Sequence, residues 1–445
     1  MTNPTAAFSS SRRDVLKAAA GAAGLALIPA ALGQTSPLDK MNVQKPRQLR
    51  IGLIGCGGRG TGAVCQAASA DKNTVVYALA DLFPEKVESC LKNVKEHFAD
   101  ESARVDVPPE RRFSGVDAHE KLLALGVDVV CLCAYPHFRP AHLEAAVKAG
   151  AHVFCEKPMA VDAPGLRRVR EAAALAKAKQ LSLVCGFCWR YNDTMVPFWD
   201  EVKKGVIGDV LTVHTTYHTS TLSKKPRQPE WSDMEFQLRN WWHFTWLSGD
   251  HIVEQACHSI DRMSWAMGDA EPVRCVGLGG RAAREGPEHG NVFDHFTALY
   301  EYADGRRSFH TTRQIDHCPG ENIDYLVGTK GRGLCDGFSS RYELTDHKGT
   351  PAFKGKNDPE SVGRMYQNEH DVLFRSIRAG QARNDGEWMC RSTMLALMAR
   401  MAAYTGQTVS WQQAWESRED LTPPSYAFGP LATPAVPVPG RTKLA

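Results

Sequence analysis

Leu49-Arg50-Ile51-Gly52-Leu53-Ile54-Gly55-Cys56-Gly57-Gly58-Arg59-Gly60 decides how the rest of this chain is read. Residues 49–54 make an apolar, strand-like run. Glycines follow at 55, 57, 58 and 60, and an alanine-rich helical stretch covers 61–70. Strand, G-x-G-x-x-G and helix in that order form a phosphate-binding turn. Gly55 permits the tight bend, Gly57 lets backbone approach a pyrophosphate, and Gly60 lets helix and strand pack closely. The helix start adds unpaired N–H groups and the positive end of its dipole. The whole run 55–60, Gly58 and Arg59 included, is therefore assigned to a dinucleotide. A second strand over 74–80 ends in Asp81, 21 residues past Gly60, where a carboxylate accepts from ribose hydroxyls and repels a 2′-phosphate. No arginine follows in Leu82-Phe83-Pro84, so NAD is expected over NADP.

Outward from that turn the alternation continues. Strand-like runs at 127–134, 152–156 and 181–187 are interleaved with helical stretches at 139–150 and 165–179. Such repetition argues an α/β fold with a doubly wound parallel Rossmann sheet, whose ligands sit beyond the carboxyl ends of the strands. Two segments fall at such ends, Ala134-Tyr135-Pro136-His137 and Glu156-Lys157-Pro158. After 188 the pattern changes. Runs at 210–219, 273–280, 293–302, 307–313 and 324–328 read as a mostly antiparallel sheet in a second α/β domain. Helices are expected at 366–379 and 389–404, the latter with a core-packing stripe of Met394, Leu397, Met398 and Met401. The organisation is a leader over 1–33, a linker over 34–47, a nucleotide domain over 48–187, a substrate domain over 188–420 and a Pro-rich arm over 421–445. The arm reads as extended or disordered and able to embrace a neighbouring subunit, and a homo-oligomer is expected.

Composition narrows the classes. Of 445 residues 43% are hydrophobic and 23% charged, which excludes disordered and collagen-like chains. Lys plus Arg is 53 against 50 for Asp plus Glu, too even a balance to hold nucleic acid. The 13 cysteines leave at least one thiol unpaired, and several lie in apolar runs where Cys buries as a small hydrophobe. Cys185 and Cys188 have no second pair at zinc spacing, and His251, Glu254 and His258 lack the H-E-x-x-H order, so no metal is expected. Ser11-Arg12-Arg13-Asp14-Val15-Leu16-Lys17, an Ala/Gly/Leu run to Leu32 and the small-x-small Ala31-Leu32-Gly33 read as a twin-arginine export signal. Its run is short, glycine-interrupted and carries Lys17, so no permanent membrane span is expected. The twin-arginine machinery is thus an expected partner, and the destination periplasmic or otherwise exported.

Glu156-Lys157-Pro158 after the fifth strand, downstream of the glycine turn and Asp81, resembles the Gfo/Idh/MocA family (glucose–fructose oxidoreductase, inositol dehydrogenase, rhizopine catabolism). The resemblance runs from about Leu49 to Trp411. It implies an N-terminal Rossmann domain, a C-terminal α/β domain with a large open sheet, and pyridine-nucleotide redox chemistry on sugars, cyclitols and polyols. It also implies cofactor contacts at Pro136, His137, Glu156 and Lys157, with His142 near the nicotinamide ribose. The segment 248–265 resembles the family's D-x-x-x-H-x-x-D helix. His258 and Asp261 match, whereas Glu254 stands where Asp is usual.

Read as one helix, Glu254, His258, Asp261 and Trp265 fall at i, i+4, i+7 and i+11 on a single face. A carboxylate one turn from an imidazole can hold its tautomer. Alcohol oxidation needs the hydroxyl proton removed as hydride leaves carbon, so His258 is the candidate general base, with Glu254 beside it. Lys157 is the donor that stabilises charge developing on the oxygen. Arg190, Asp261 and Trp241 are assigned to the substrate, with Trp242, His243 and Trp246 as further pocket candidates.

The expected activity is hydride transfer between a non-dissociating NAD and a carbohydrate or polyol hydroxyl, since free NAD is not regenerated outside the cytoplasm. The alternative is a redox-neutral glycosidase or lyase that works through a transient keto-sugar. A third reading is a non-catalytic sugar-binding protein.

Overall fold

The computed structural model describes residues 47–445, so the predicted leader over 1–33 lies outside the described residues. Six parallel strands form the first sheet: β1 (Leu49–Ile54), β2 (Thr74–Asp81), β3 (Arg112–Ser114), β4 (Val129–Leu132), β5 (His152–Cys155) and β6 (Leu183–Cys185). Their order is β3-β2-β1-β4-β5-β6, a doubly wound arrangement that reverses direction between β1 and β4. The strands are buried on both faces, as helices Gly58–Ser69 and Ala163–Ala178 and their neighbours cover the sheet. The crevice therefore opens beyond Ile54 and Leu132, where Gly55 and Cys133 begin their loops.

The second sheet has nine strands: β7 (Val210–Thr219), β8 (Arg274–Gly280), β9 (His295–Glu301), β10 (Arg307–Gln314), β11 (Ile323–Gly328), β12 (Gly331–Asp336), β13 (Arg341–Asp346), β14 (Pro351–Lys354) and β15 (Val409–Ser410). Their order is β14-β13-β12-β11-β7-β10-β9-β8-β15. Every pairing is antiparallel except β7 with β10. Burial alternates along β8, β10 and β11, so one face is packed and the other is open. The inner face takes helices Cys257–Ala266 and Gly386–Thr405. The outer face leaves Leu211, Val276, Leu278, Phe309, Tyr325 and Val327 exposed.

Five strands are read in the second half from sequence, and the sheet adds four. The runs Gly331–Asp336, Arg341–Asp346 and Pro351–Lys354 carry polar residues on the wet face and at the sheet's edge, so they lack the apolar density that marks the others. Helix Gly386–Thr405 buries nearly every position, so Met394 and Met398 belong to a helix apolar all round rather than to a stripe.

Two segments make contacts across the expected boundaries. Helix Ser361–Arg378 belongs by sequence to the substrate domain, yet it packs on helix Gly58–Ser69 and on β6 of the first sheet. The residues 421–445 form neither a loose tail nor an arm reaching outward. Leu421 N donates to Asp162 and Leu431 N to Asp233, while Gln237 donates back to the Leu431 carbonyl. Gly440 N reaches the Thr405 carbonyl at the end of the long helix.

Arg262 and Asp324 join helix Cys257–Ala266 to β11, with Nε 2.6 Å from the carboxylate and both side chains fully buried. Asp324→Ala strands that guanidinium in the interior, at a cost of about 3–5 kcal/mol. Denaturant unfolding should show this loss, and a smaller one for Asp324→Asn.

Candidate functional site

The glycine turn divides its glycines by purpose. Gly55 has φ +101°, and a Cβ there would lie 2.3 Å from the Ala134 amide nitrogen. A Cβ on Gly60 would lie 1.8 Å from the Gly55 carbonyl oxygen. Both positions are closed by packing. A Cβ on Gly57 or Gly58 would meet nothing within 4 Å. Packing does not require glycine at those two, but a ligand passing close to the backbone does. The first-turn amides of helix Gly58–Ser69 have no intrahelical acceptor and face the same space. Asp81 accepts from the amides of Cys56 at 2.6 Å and Phe83 at 2.9 Å, so its carboxylate pins the turn to the end of β2. Burial pushes its pKa up against those two hydrogen bonds. These features fit the pyrophosphate and ribose of a dinucleotide.

A cavity of about 670 Å³ runs from this turn into the second half of the chain. Its nucleotide end is walled by Gly57, Gly58, Asp81 and Pro136. Its far end is walled by Lys157, Tyr217, Glu254, Gln255 and His258. Lys157 leaves the tip of β5, and its Nζ donates to the Glu254 carbonyl at 2.6 Å and to Glu254 Oε1 at 3.0 Å. Burial pulls the ammonium's pKa down, but the Glu254 carboxylate outweighs it and the net shift is upward. His258 goes the other way. Burial first, then the cations Lys157, Arg262 and Arg59, hold it well below the usual histidine range. Its Nδ1 is buried without a partner, which leaves Nε2 as the nitrogen open to the cavity.

The single helix expected through this segment is broken. Helix His251–Glu254 stops, and Cys257–Ala266 starts afresh. His258 N donates to the Gln255 carbonyl instead of to that of Glu254. The freed Glu254 carbonyl is the oxygen that Lys157 takes. Neither predicted carboxylate orients His258, because Glu254 turns to Lys157 and Asp261 lies inside the fold. Asp261 accepts from Arg190 Nε at 3.0 Å and from Ser392 at 2.7 Å. Arg190 also holds Asp269 at 2.6 Å and lies over the Trp388 ring. Two of the three residues assigned to the substrate, Arg190 and Asp261, thus satisfy each other away from the cavity lining.

Three predicted cofactor residues, Arg59, Glu156 and His137, have partners within the fold, and the first two also line the cavity. Arg59 lines the turn, but its guanidinium grips Glu156 and Glu369 at 2.5 Å each, which ties the motif to helix Ser361–Arg378 rather than leaving it for phosphate. Glu156 is taken up by that pair and by the Lys157 amide. His137 turns from the cavity to Tyr426 of the C-terminal segment, at 2.8 Å. His251 points to Asp250 and the Phe293 carbonyl, away from Glu254 and His258. Among the remaining pocket candidates Trp242 and His142 line the cavity, and Trp241 does so while stacking on Tyr135 at 5.1 Å. Trp246 and His243 are buried beside it.

Sequence reasoning missed Tyr217 and Gln255, as well as the cover. Leu222, Ser223, Lys225, Arg239 and Asn240 reach over the nucleotide end from the second half. An apolar cluster of Phe83, Phe236, Phe244 and Trp246 supports them, with Leu421, Tyr426 and Leu431 of the C-terminal segment packed against it. No local pattern announces such a cover, since its parts lie far apart in the chain. Among the described residues no helix is long and apolar enough to cross a membrane.

The chain matches the model of an oxidoreductase family with NAD-binding Rossmann fold, GFO_IDH_MocA, over residues 49–187. The model of the GFO/IDH/MocA C-terminal domain matches residues 200–332. Inositol 2-dehydrogenase of Cereibacter sphaeroides is 27% identical over 259 residues, 58% of this chain and 65% of the relative. That of Acidothermus cellulolyticus is 28% identical over 243 residues, 54% of this chain and 60% of the relative. The chain thus spans less than two thirds of these curated relatives' length. The fold is similar to that of aldose–aldose oxidoreductase from Caulobacter crescentus complexed with glycerol, with 21% identity, TM-score 0.62, 82% of this chain and 100% of that one. It is also similar to that of levoglucosan dehydrogenase in complex with NADH, with 17% identity, TM-score 0.65, 81% of this chain and 98% of that one.

The two kinds of glycine separate by experiment. Gly57→Ala should keep the melting temperature and lose at least about tenfold in NAD affinity, because only the ligand needs that space. Gly60→Ala should lose about 3 kcal/mol of stability. Thermal unfolding and nucleotide titration of both variants check this.

Proposed function

Because the chain belongs to the Gfo/Idh/MocA oxidoreductase family, we propose that it transfers hydride between NAD held at the glycine turn and a sugar or cyclitol hydroxyl. One observation carries the reading: Lys157 and His258, brought from opposite halves, line the same cavity as the open glycines. The names of the dehydrogenase and oxidoreductase relatives favour net redox chemistry over redox-neutral elimination.

When bound, the nicotinamide accepts or returns the hydride. The remaining work falls to this chain. Two of the Lys157 N–H groups go to Glu254, which leaves the third for the substrate oxygen as negative charge develops there. His258, kept neutral at pH 7, offers Nε2 to the hydroxyl proton. Glu254 acts on the lysine rather than on the imidazole. Asp81 supports NAD over NADP, since a 2′-phosphate would meet its carboxylate.

The cover over the nucleotide end supports a cofactor that stays bound through turnover. The leader with Arg12 and Arg13 supports twin-arginine export of the already folded, loaded protein to the periplasm. The exposed apolar outer face of the second sheet supports a homo-oligomer.

Purified protein should carry nucleotide that changes absorbance at about 340 nm when sugars or cyclitols are added. Protein free of nucleotide, or bound nucleotide that no such substrate reduces, would overturn the reading. Lys157→Ala should lower kcat by about 10²–10³ while the nucleotide stays bound. The base form of His258 exists above its own pKa, which lies well under 6.5. The acid limb of kcat/KM should therefore stay flat as pH falls through 6.5 and drop only below it.

A further inference from the structure

Gln255 sits between the two helices, next to Glu254 and His258, with its side chain on the cavity wall. Its amide is not free to choose which end faces the ligand. Arg284, buried in the loop after β8, donates through Nη2 to Gln314 Oε1 at the end of β10. Arginine has only donors, so Gln314 must present its oxygen to Arg284 and its NH₂ to the other side. That NH₂ donates to Gln255 Oε1 at 2.5 Å, and the Thr219 hydroxyl lies at 3.5 Å from the same oxygen. Gln255 must then turn its own NH₂ toward the cavity, where it makes no hydrogen bond among the described residues. The source of this polarity is itself fixed. Asp294 accepts from the amides of Ala282, Ala283 and Arg284, and its carbonyl accepts from Gln314 N at 2.8 Å.

We infer that Gln255 is a specificity-determining donor, set by Arg284 through Gln314, that recognises an acceptor-only oxygen beside the reacting carbon. This rests on the oxidoreductase reading and deepens it. A hydroxyl turns to suit either end of an amide, so a fixed donor gains nothing over a fixed acceptor against a hydroxyl. It discriminates only against groups that cannot turn. Such an oxygen is either the ring oxygen of a pyranose or a carboxylate, and a cyclitol offers neither. Lys157 on the same wall adds a further donor. Gln255 would touch the substrate, whereas Gln314 and Arg284 are positioning residues.

The test inverts the relay without emptying it. Gln314→Glu still accepts from Arg284 but has no proton for Gln255, whose amide must then turn and show its oxygen to the cavity. NADH-loaded wild type and variant are titrated with D-glucose, D-glucuronate and myo-inositol, and the nucleotide fluorescence is read. The wild type should bind glucose or glucuronate more tightly than myo-inositol, and which of the two it prefers tells ring oxygen from carboxylate. The variant should weaken that preferred ligand about tenfold or more, because two acceptors then face each other. It should shift myo-inositol by less than about threefold and leave NADH affinity and the melting temperature unchanged. Equal shifts for all three ligands, no shift for any, a wild type that prefers myo-inositol, or one that binds none of the three would overturn the inference. NADH retention in the same samples reports separately on the oxidoreductase reading. Gln255→Leu, which removes the amide outright, should weaken all three ligands, and an unchanged affinity for the preferred one would also overturn it.

Discussion

The contact on which the site depends is the grip of the Lys157 ammonium on Glu254. It brings a cation from the tip of the parallel sheet onto both the carbonyl and the carboxylate of one residue in the second half. Taking such a pair out of water costs several kcal/mol per ion, which the two hydrogen bonds from the ammonium to Glu254 offset. The carbonyl is available because the helix breaks after Glu254. An unbroken helix would have spent that oxygen on the His258 amide, and the ammonium would have lost its shorter contact. Helix continuity and the lysine's hold on the Glu254 carbonyl are thus in competition at this point.

The nucleotide turn is stabilised from a similar distance. Arg59 is an exposed-looking residue of a loop motif, yet its guanidinium bridges Glu156 and Glu369, with Gln66 as a third partner. Glu369 comes from a helix that follows all but the last strand of the second sheet. The loop that approaches a pyrophosphate is therefore braced by the last third of the chain, and the two halves share a boundary rather than a hinge. The cover over the nucleotide end repeats the arrangement, with residues 222–246 held down by the segment after 421.

What could be read from the sequence was what is local. The glycine spacing, the strand before it, Asp81 and the strand-end Lys157 all follow from periodicity and position within a few residues, and each lines the cavity. The outer strands β12 to β14 were not legible, because a sheet edge with one wet face has little apolar signal. The i, i+4 spacing of Glu254 and His258 pointed to one helix, since spacing does not record a lysine 97 residues earlier that competes for a carbonyl. Arg190 and Asp261 carry the side chains a sugar site needs, and they use them on each other. Gln255 gave no signal at all, as the partners that fix its orientation come from residues 284 and 314.

The electrostatics of the far end separate its two titratable groups. Lys157 and His258 share one cavity, and the lysine's charge lowers the histidine's titration. The carboxylate of Glu254 holds the lysine charged, and burial first, then the charged lysine with Arg262 and Arg59, keeps the histidine neutral. The two pKa values are thereby driven apart, which is how a pair of titratable residues acquires separate roles. Moving Glu254 onto His258, as the helical spacing would have it, would undo both effects: the imidazole would gain a counter-ion and charge more easily, and the lysine would face burial alone. The longer side chain at 254, where the family pattern has aspartate, reaches the lysine instead, and that reach keeps the lysine charged.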